Sequence, residues 1–389
     1  MKRLYALDTL RGFAALSVVL WHWQHFFAIS GTWKQGWQKS SEPFYQFLRP
    51  FYDEGWAAVD LFFALSGFIF FWLYAEAIRE GRISAFRFGW LRFSRLYPLH
   101  LATLLAVAAM QYFFHRATGN YFVYGSNGWK RFVVSLIFAQ NWLTPTLKQS
   151  FNGPAWSVSI EVLLYGIFFV FCRLGLRGPR MALCIAAVGI ALLWWKMFIA
   201  RGLIGFFVGG ATFHLSRTVA SHSAARRLAQ WSVATAIGLW IVIWIETYFA
   251  PLHAAFYWLS GYISPEVGRL YIGNSEKIFL LLFVLIVVPT TLLALALHEQ
   301  VLGGKWHRFA FVGDISYSTY MLHFPMQLAL ALIAVHYALT PAAFENPVAL
   351  ILFYAALITL GGLSFHYFER PMQHFLRNML GKKSLAPEN

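Results

Sequence analysis

Long apolar stretches separated by short charged ones set the pattern of this chain. Phe13 to Leu20, Val59 to Phe71, Val162 to Phe171, Ile278 to Leu297 and Leu350 to Leu363 are each nearly free of charge. Crossing the hydrocarbon core takes roughly 20 apolar residues in helical form, and backbone exposed to lipid must satisfy its own hydrogen bonds. The pattern therefore predicts an all-α, polytopic transmembrane helical bundle of ten spans. They fall near 6–28, 56–78, 96–115, 155–173, 181–198, 201–216, 229–249, 277–297, 314–337 and 347–368. The stretch 130–143 is apolar but short.

The charges between the spans orient them. With the N-terminus inside, the loop 79–95 carries Arg79, Arg82, Arg87, Arg92 and Arg95 against Glu80 alone. The loop holding Arg173, Arg177 and Arg180 joins it on that side only if 130–143 does not cross. The loops with Arg217, Arg226 and Arg227 and with Lys305 and Arg308 then follow, as does the tail with Arg370, Arg377, Lys382 and Lys383. Basic loops are cytoplasmic in membrane proteins. Both termini are thus expected inside, with 130–143 interfacial or re-entrant and 29–55, 116–154 and 250–276 facing outward. Lys2 and Arg3 before an apolar run resemble a signal peptide, but Asp8 and Arg11 interrupt it, so an uncleaved first helix is expected. The division expected is one membrane domain over 1–370 and a short cytoplasmic tail over 371–389.

Composition agrees. Hydrophobic residues make up 59% and charged residues 12%, against roughly 25% charged in soluble domains. The net charge of +15 is explained by loop placement, so the bilayer is the expected partner and nucleic acid is not. Cys172 and Cys184 fit no metal or redox spacing, and no metal site is expected.

Ionisable groups inside a span are costly, so each needs a reason. Arg11 and His22 are eleven residues apart, close to three helical turns, which puts them on one face about 16 Å apart. Asp8, one turn before Arg11, can pair with it. His25 reads as an interfacial, structural residue. Arg92 and Arg95, one turn apart at the inner mouth of the third span, suit either a polyphosphate or simple anchoring. Ser157, Glu161 and Tyr165 share one face of the fourth span. Ser316, Tyr320, His323 and Gln327 form a polar stripe on the ninth, and Asp314 is placed to cap that helix. His323 fits a hydrogen-bonded core histidine or a catalytic one. By depth these residues make a track from Arg92 and Arg95, through Arg11 and His323, to His22 and Glu161.

Several stretches resemble the acyltransferase-3 family of integral membrane acyltransferases. Leu7-Asp8-Thr9-Leu10-Arg11-Gly12-Phe13-Ala14-Ala15-Leu16 through His22 is similar to its opening motif. Val59-Asp60-Leu61-Phe62-Phe63-Ala64-Leu65-Ser66-Gly67-Phe68, the pair Arg92 and Arg95, and Trp156-Ser157-Val158-Ser159-Ile160-Glu161 resemble the motifs that follow. Gly313-Asp314-Ile315-Ser316-Tyr317-Ser318-Thr319-Tyr320-Met321-Leu322-His323-Phe324-Pro325 and Glu369-Arg370-Pro371 resemble the closing ones. Many members carry an acidic or amide residue after the glutamate, where this chain has Val162.

The resemblance implies a ten-span enzyme of the bacterial inner (plasma) membrane. It would move an acyl group, most commonly acetyl, from cytoplasmic acyl-CoA to a hydroxyl of an exported polysaccharide, glycolipid or similar acceptor. It implies no resident cofactor, with acyl-CoA (acetyl-CoA first) as co-substrate. The family's histidine role falls on His22 and its CoA-phosphate role on Arg92 and Arg95. Glu161 and His323 join His22 as candidates for the chemistry, and Arg11 joins the donor-binding set. His22 can act as general base in a ternary complex or carry the acyl group itself. The competing reading is a proton-coupled transporter, in which intramembrane His and Glu relay protons. Transporters commonly show repeats and interrupted helices in two halves, and the sequence shows neither.

Overall fold

The computed structural model describes residues 3–143 and 148–379, a helical bundle with one two-stranded hairpin among the described residues. The ten helices corresponding to the expected spans are α1 Tyr5–Trp21, α2 Ala58–Leu73, α3 Ala85–Thr118, α4 Trp156–Arg173 and α5 Pro179–Leu192. They continue with α6 Met197–Ala220, α7 Ala225–Phe249, α8 Tyr271–Gln300, α9 Ser316–His336 and α10 Pro347–Asn378. Eight lie in segments long and apolar enough to cross a membrane. The other two, α1 and α5, have 17 and 14 residues. The all-α polytopic bundle read from the sequence is the fold observed. The 130–143 stretch holds only the eight-residue helix Trp129–Leu136, about 12 Å long against a hydrocarbon core of ~30 Å.

Three sequence expectations change. The third helix starts at Ala85 rather than near 96, because Ser84 Oγ accepts the Arg87 N–H at 3.2 Å and caps it. Arg92 and Arg95 therefore lie inside the helix instead of at its mouth. The region 250–276 is not an open loop: it forms the helix Pro251–Ile263 and most of Pro265–Leu282. The last helix passes through residue 370 to Asn378, so a boundary there falls within continuous structure. A π turn at Phe365–Glu369 precedes Pro371 and absorbs its missing N–H. Trp90 Nε1 on α3 donates to the Leu376 carbonyl at 2.8 Å, which ties this segment down. Lys2, Lys382 and Lys383 lie outside the described residues.

Small residues let α2 and α6 touch backbone to backbone. A Cβ on Gly67 would fall 1.7 Å from the Phe206 carbonyl oxygen, and one on Gly209 would fall 1.9 Å from that of Ala64. Close approach of this kind is how membrane helices gain packing without a hydrophobic driving force. Between the same helices Arg201 donates to both oxygens of Asp60, at 3.1 and 2.6 Å. Its guanidinium sits 4.9 Å from the Trp56 ring centre and 5.0 Å from that of Trp156. Paired, hydrogen-bonded and flanked by aromatic faces, this buried ion pair holds the core beside the polar track. On the first helix, Glu299 from the end of α8 accepts the Tyr5 and Ala6 N–H groups at 3.1 and 2.7 Å. A carboxylate at that end satisfies free donors and complements the helix dipole.

Candidate active site

Three histidines meet where α1 ends. The chain tightens there from α to a 3-10 helix over His22–Phe27, in which side chains three apart eclipse. His22 and His25 are three apart, and their ring centres lie 4.6 Å from each other. His323, from the middle of α9, stacks on His22 at 4.8 Å. All three are buried, and no carboxylate contacts them among the described residues.

The hydrogen bonds assign every ring nitrogen of the neutral cluster. His323 Nδ1 lies 2.5 Å from the Tyr320 carbonyl, which can only accept, so Nδ1 carries the proton and Nε2 the lone pair. His22 Nδ1, 3.1 Å from that Nε2, must donate to it. Gln327 uses its amide N–H on the His22 carbonyl at 2.9 Å, which turns its oxygen toward His25 Nδ1 at 3.0 Å. His25 then donates from Nδ1, and its Nε2 accepts from the Tyr124 hydroxyl at 3.3 Å. One lone pair is left over, on Nε2 of His22.

Toward the other end of α9, Arg11 donates to Ser316 Oγ at 2.9 Å and to the Gly313 carbonyl at 2.7 Å, with Asp8 3.2 Å away. Its guanidinium is committed to tying α1 to α9. Asp314 does not cap α9. It closes the short helix Ala310–Asp314 and accepts from Arg3. Arg92 is buried, with Nη2 on the Tyr74 hydroxyl at 2.6 Å and Nε without a partner. Arg95 is exposed and makes no hydrogen bond or salt bridge to a described residue. Its charge acts on Arg11, Glu369, Tyr165 and Tyr317. The two arginines therefore do not share one environment, as their spacing suggested. Arg92 leaves its buried Nε–H without a partner, and Arg95 its whole guanidinium.

Each member of the α9 stripe finds a partner: Ser316 on Arg11, Tyr320 on Ser157 at 2.8 Å, His323 on His22 and Gln327 on His25. Glu161 does not join the histidines. It accepts from Ser66 and lies against Tyr165. Ser157 is level with Tyr320, and α4 runs opposite to α9, since Glu161 further along α4 lies near Tyr317 earlier on α9. Glu161 is four residues one way along α4 and His323 three the other way along α9. They are thus about 10 Å apart along the bundle, too far for one hydroxyl to bridge Glu161 and His22. His25, read from sequence as an interfacial structural residue, is buried beside His22 and hydrogen-bonded to Gln327 and Tyr124. The 3-10 turn aligns it closely with His22, and the signal available was its three-residue spacing, which places two side chains on one side of either helix type. Tyr124, from a long loop, carried no signal, and neither did the pairing of Asp60 with Arg201.

The profile of the acyltransferase domain of the acyltransferase-3 family matches residues 4–367. Acyltransferase MdmB of Streptomyces mycarofaciens is 34% identical over 192 residues, 49% of this chain and 44% of that protein. Protein 2 in picA locus of Rhizobium radiobacter is 37% identical over 108 residues, 28% of this chain and 46% of that protein. The chain therefore matches less than half the length of either relative. No solved structure matches.

Proposed function

The chain belongs to the acyltransferase-3 family and is a membrane acyltransferase, and from that premise we propose that it carries an acyl group from cytoplasmic acyl-CoA to a carbohydrate hydroxyl at the outer face of a bacterial inner membrane. The observation that carries the reading is the single uncommitted ring nitrogen, Nε2 of His22. A hydroxyl attacks a thioester only as it loses its proton, and a neutral imidazole of fixed tautomer is the base for that step. The acceptor O–H gives its proton to Nε2 as its oxygen bonds the thioester carbon. The developing imidazolium keeps its Nδ1–H on His323, and this hydrogen bond strengthens as the charge appears. When the C–S bond breaks, the proton passes from Nε2 to the departing CoA sulfur. The same lone pair would be the nucleophile if His22 carried the acyl group, with the proton balance unchanged overall.

The donor side falls at the other end of the track. The free groups of Arg92 and Arg95 suit CoA phosphates, and Glu161 with Ser66 and Tyr165 balances their charge in a low-dielectric surrounding. The pantetheine arm then spans the distance to His22. Purified protein given radiolabelled acetyl-CoA and a saccharide should release free thiol and label the saccharide in equal amounts. Thiol release without labelled saccharide would refute the acceptor class. No thiol release from any short acyl-CoA would refute the donor.

A further inference from the structure

The chain leaves the histidine cluster through a short hairpin in which Ala28 pairs with Trp33 and Ile29 with Thr32. Ser30 and Gly31 close it at φ 49° and 88°, the left-handed pair whose twist suits a two-residue hairpin turn. The hairpin is held in place. Ser30 N–H donates to the Tyr121 carbonyl at 2.9 Å, Tyr121 N–H donates to Ser30 Oγ at 3.0 Å, and Ile29 bridges to Phe122. Two residues further on, Tyr124 reaches His25. Hairpin and catalytic cluster thus share one support.

Three rings stack on this frame. Phe27 lies on Trp37 at 5.3 Å and 13°, and Trp37 on Trp33 at 5.0 Å and 25°. Trp33 ends the stack and is 54% exposed, so one indole face is held open and cannot turn without breaking the stack. The indole N–H of Trp37 has no acceptor. From Gly31 to Ser41 the chain has two tryptophans, two lysines, two glutamines and no aliphatic residue. A loop that anchors in lipid pairs its tryptophans with leucine or phenylalanine that enter the acyl region; this loop has a flat aromatic face rimmed by hydrogen-bonding groups.

We propose that Trp33 is the platform of an acceptor subsite, on which the C–H face of a pyranose ring rests while Lys34, Gln35 and Gln38 bond its rim hydroxyls. The inference rests on the reading that the acceptor is a carbohydrate. Trp33 is level with Ala28, six residues past His22 along a 3-10 path, about 12 Å away. That is the reach of a few linked sugars, so the ring on Trp33 belongs to a unit next to the one acylated. The subsite holds an oligosaccharide in register and contributes nothing to a single sugar.

The test compares wild type, Trp33→Ala and Trp33→Phe on a monosaccharide acceptor and on the linear trisaccharide built from it, in detergent and in liposomes. Trp33→Ala should raise KM for the trisaccharide at least tenfold. It should leave kcat, KM for acyl-CoA and the monosaccharide reaction as they were, and Trp33→Phe should recover part of the loss. Titrating the trisaccharide should quench tryptophan fluorescence in wild type more than in Trp33→Ala. An unchanged trisaccharide KM with the monosaccharide reaction intact would overturn the platform and leave the acceptor reading standing. A loss shared by both acceptors and abolished by detergent would make Trp33 a membrane anchor and overturn it too. A wild-type protein that acylates no saccharide would remove the platform together with the reading beneath it.

Discussion

Removing the ring behind His22 tests the tautomer assignment. His323 Nε2 accepts from His22 Nδ1 and, with the Val18 carbonyl that also bonds the ring, fixes which nitrogen of His22 keeps its proton. During transfer His22 becomes positive, and the bond to His323 becomes a charge-assisted one, worth about 1.5–3 kcal/mol. His323→Ala should therefore lower turnover by roughly 10- to 150-fold, with acyl-CoA affinity unchanged, since the donor-side arginines lie about two helical turns or more away. His323→Gln can present its amide oxygen to His22 Nδ1 and should restore part of the rate. Single-turnover thiol release from acetyl-CoA, with direct donor binding as the folding control, reads both. Wild-type turnover in a folded His323→Ala would show that the His22 tautomer is set elsewhere. A loss deeper than that of His22→Ala would move the reacting nitrogen to His323.

Three further outcomes follow from the geometry. Arg95→Ala, and more weakly Arg92→Ala, should weaken acyl-CoA binding by about 1.5–3 kcal/mol per lost charge-assisted contact, read by equilibrium binding; unchanged affinity in both would leave the pair as anchors. Asp60→Ala should cost about 3–5 kcal/mol because it strands the buried Arg201. The double change Asp60→Leu with Arg201→Met should recover most of the thermal stability, and a silent single change would show the pair to be dispensable. Outside the spans, burial pushes the Glu42 carboxyl from 4.5 up to about 8, with Asp53 adding to the rise and Lys39 opposing it. The folded chain then holds a proton that the unfolded chain has released. Stability should fall as pH rises from about 4.5 to about 8 and level off above. Melting curves across that range should slope for wild type and flatten for Glu42→Gln; parallel curves would contradict the assignment.

The spans were legible because apolar length is a local property, and 130–143, too short an apolar run, holds only an eight-residue helix. Helix ends were less so. Ser84 starts α3 well before the apolar run, since a cap depends on one hydroxyl and not on hydropathy. Of the site, the stripe on α9 could be read from helical spacing alone, and each of its four residues found a partner across the bundle. The sequence could not place Glu161 against Ser66 rather than His22, because relative depth depends on how antiparallel helices register. The three-residue spacing placed His25 near His22, but its hydrogen bonds to Gln327 and to Tyr124 of a long loop depend on tertiary packing. Arg11 matched the family's pattern yet is committed to Ser316 and Gly313. Motif spacing shows that a residue is needed and leaves open what it touches.

The central claim is that His22 supplies the one free base of the cluster, and its removal tests that most directly. His22→Ala, purified folded and still binding acyl-CoA, should release thiol at a rate lower by about 10²- to 10⁴-fold in the presence of acceptor, while His25→Ala, which removes only a neighbouring ring, should lose less. Turnover above about a tenth of wild type in His22→Ala would contradict the account.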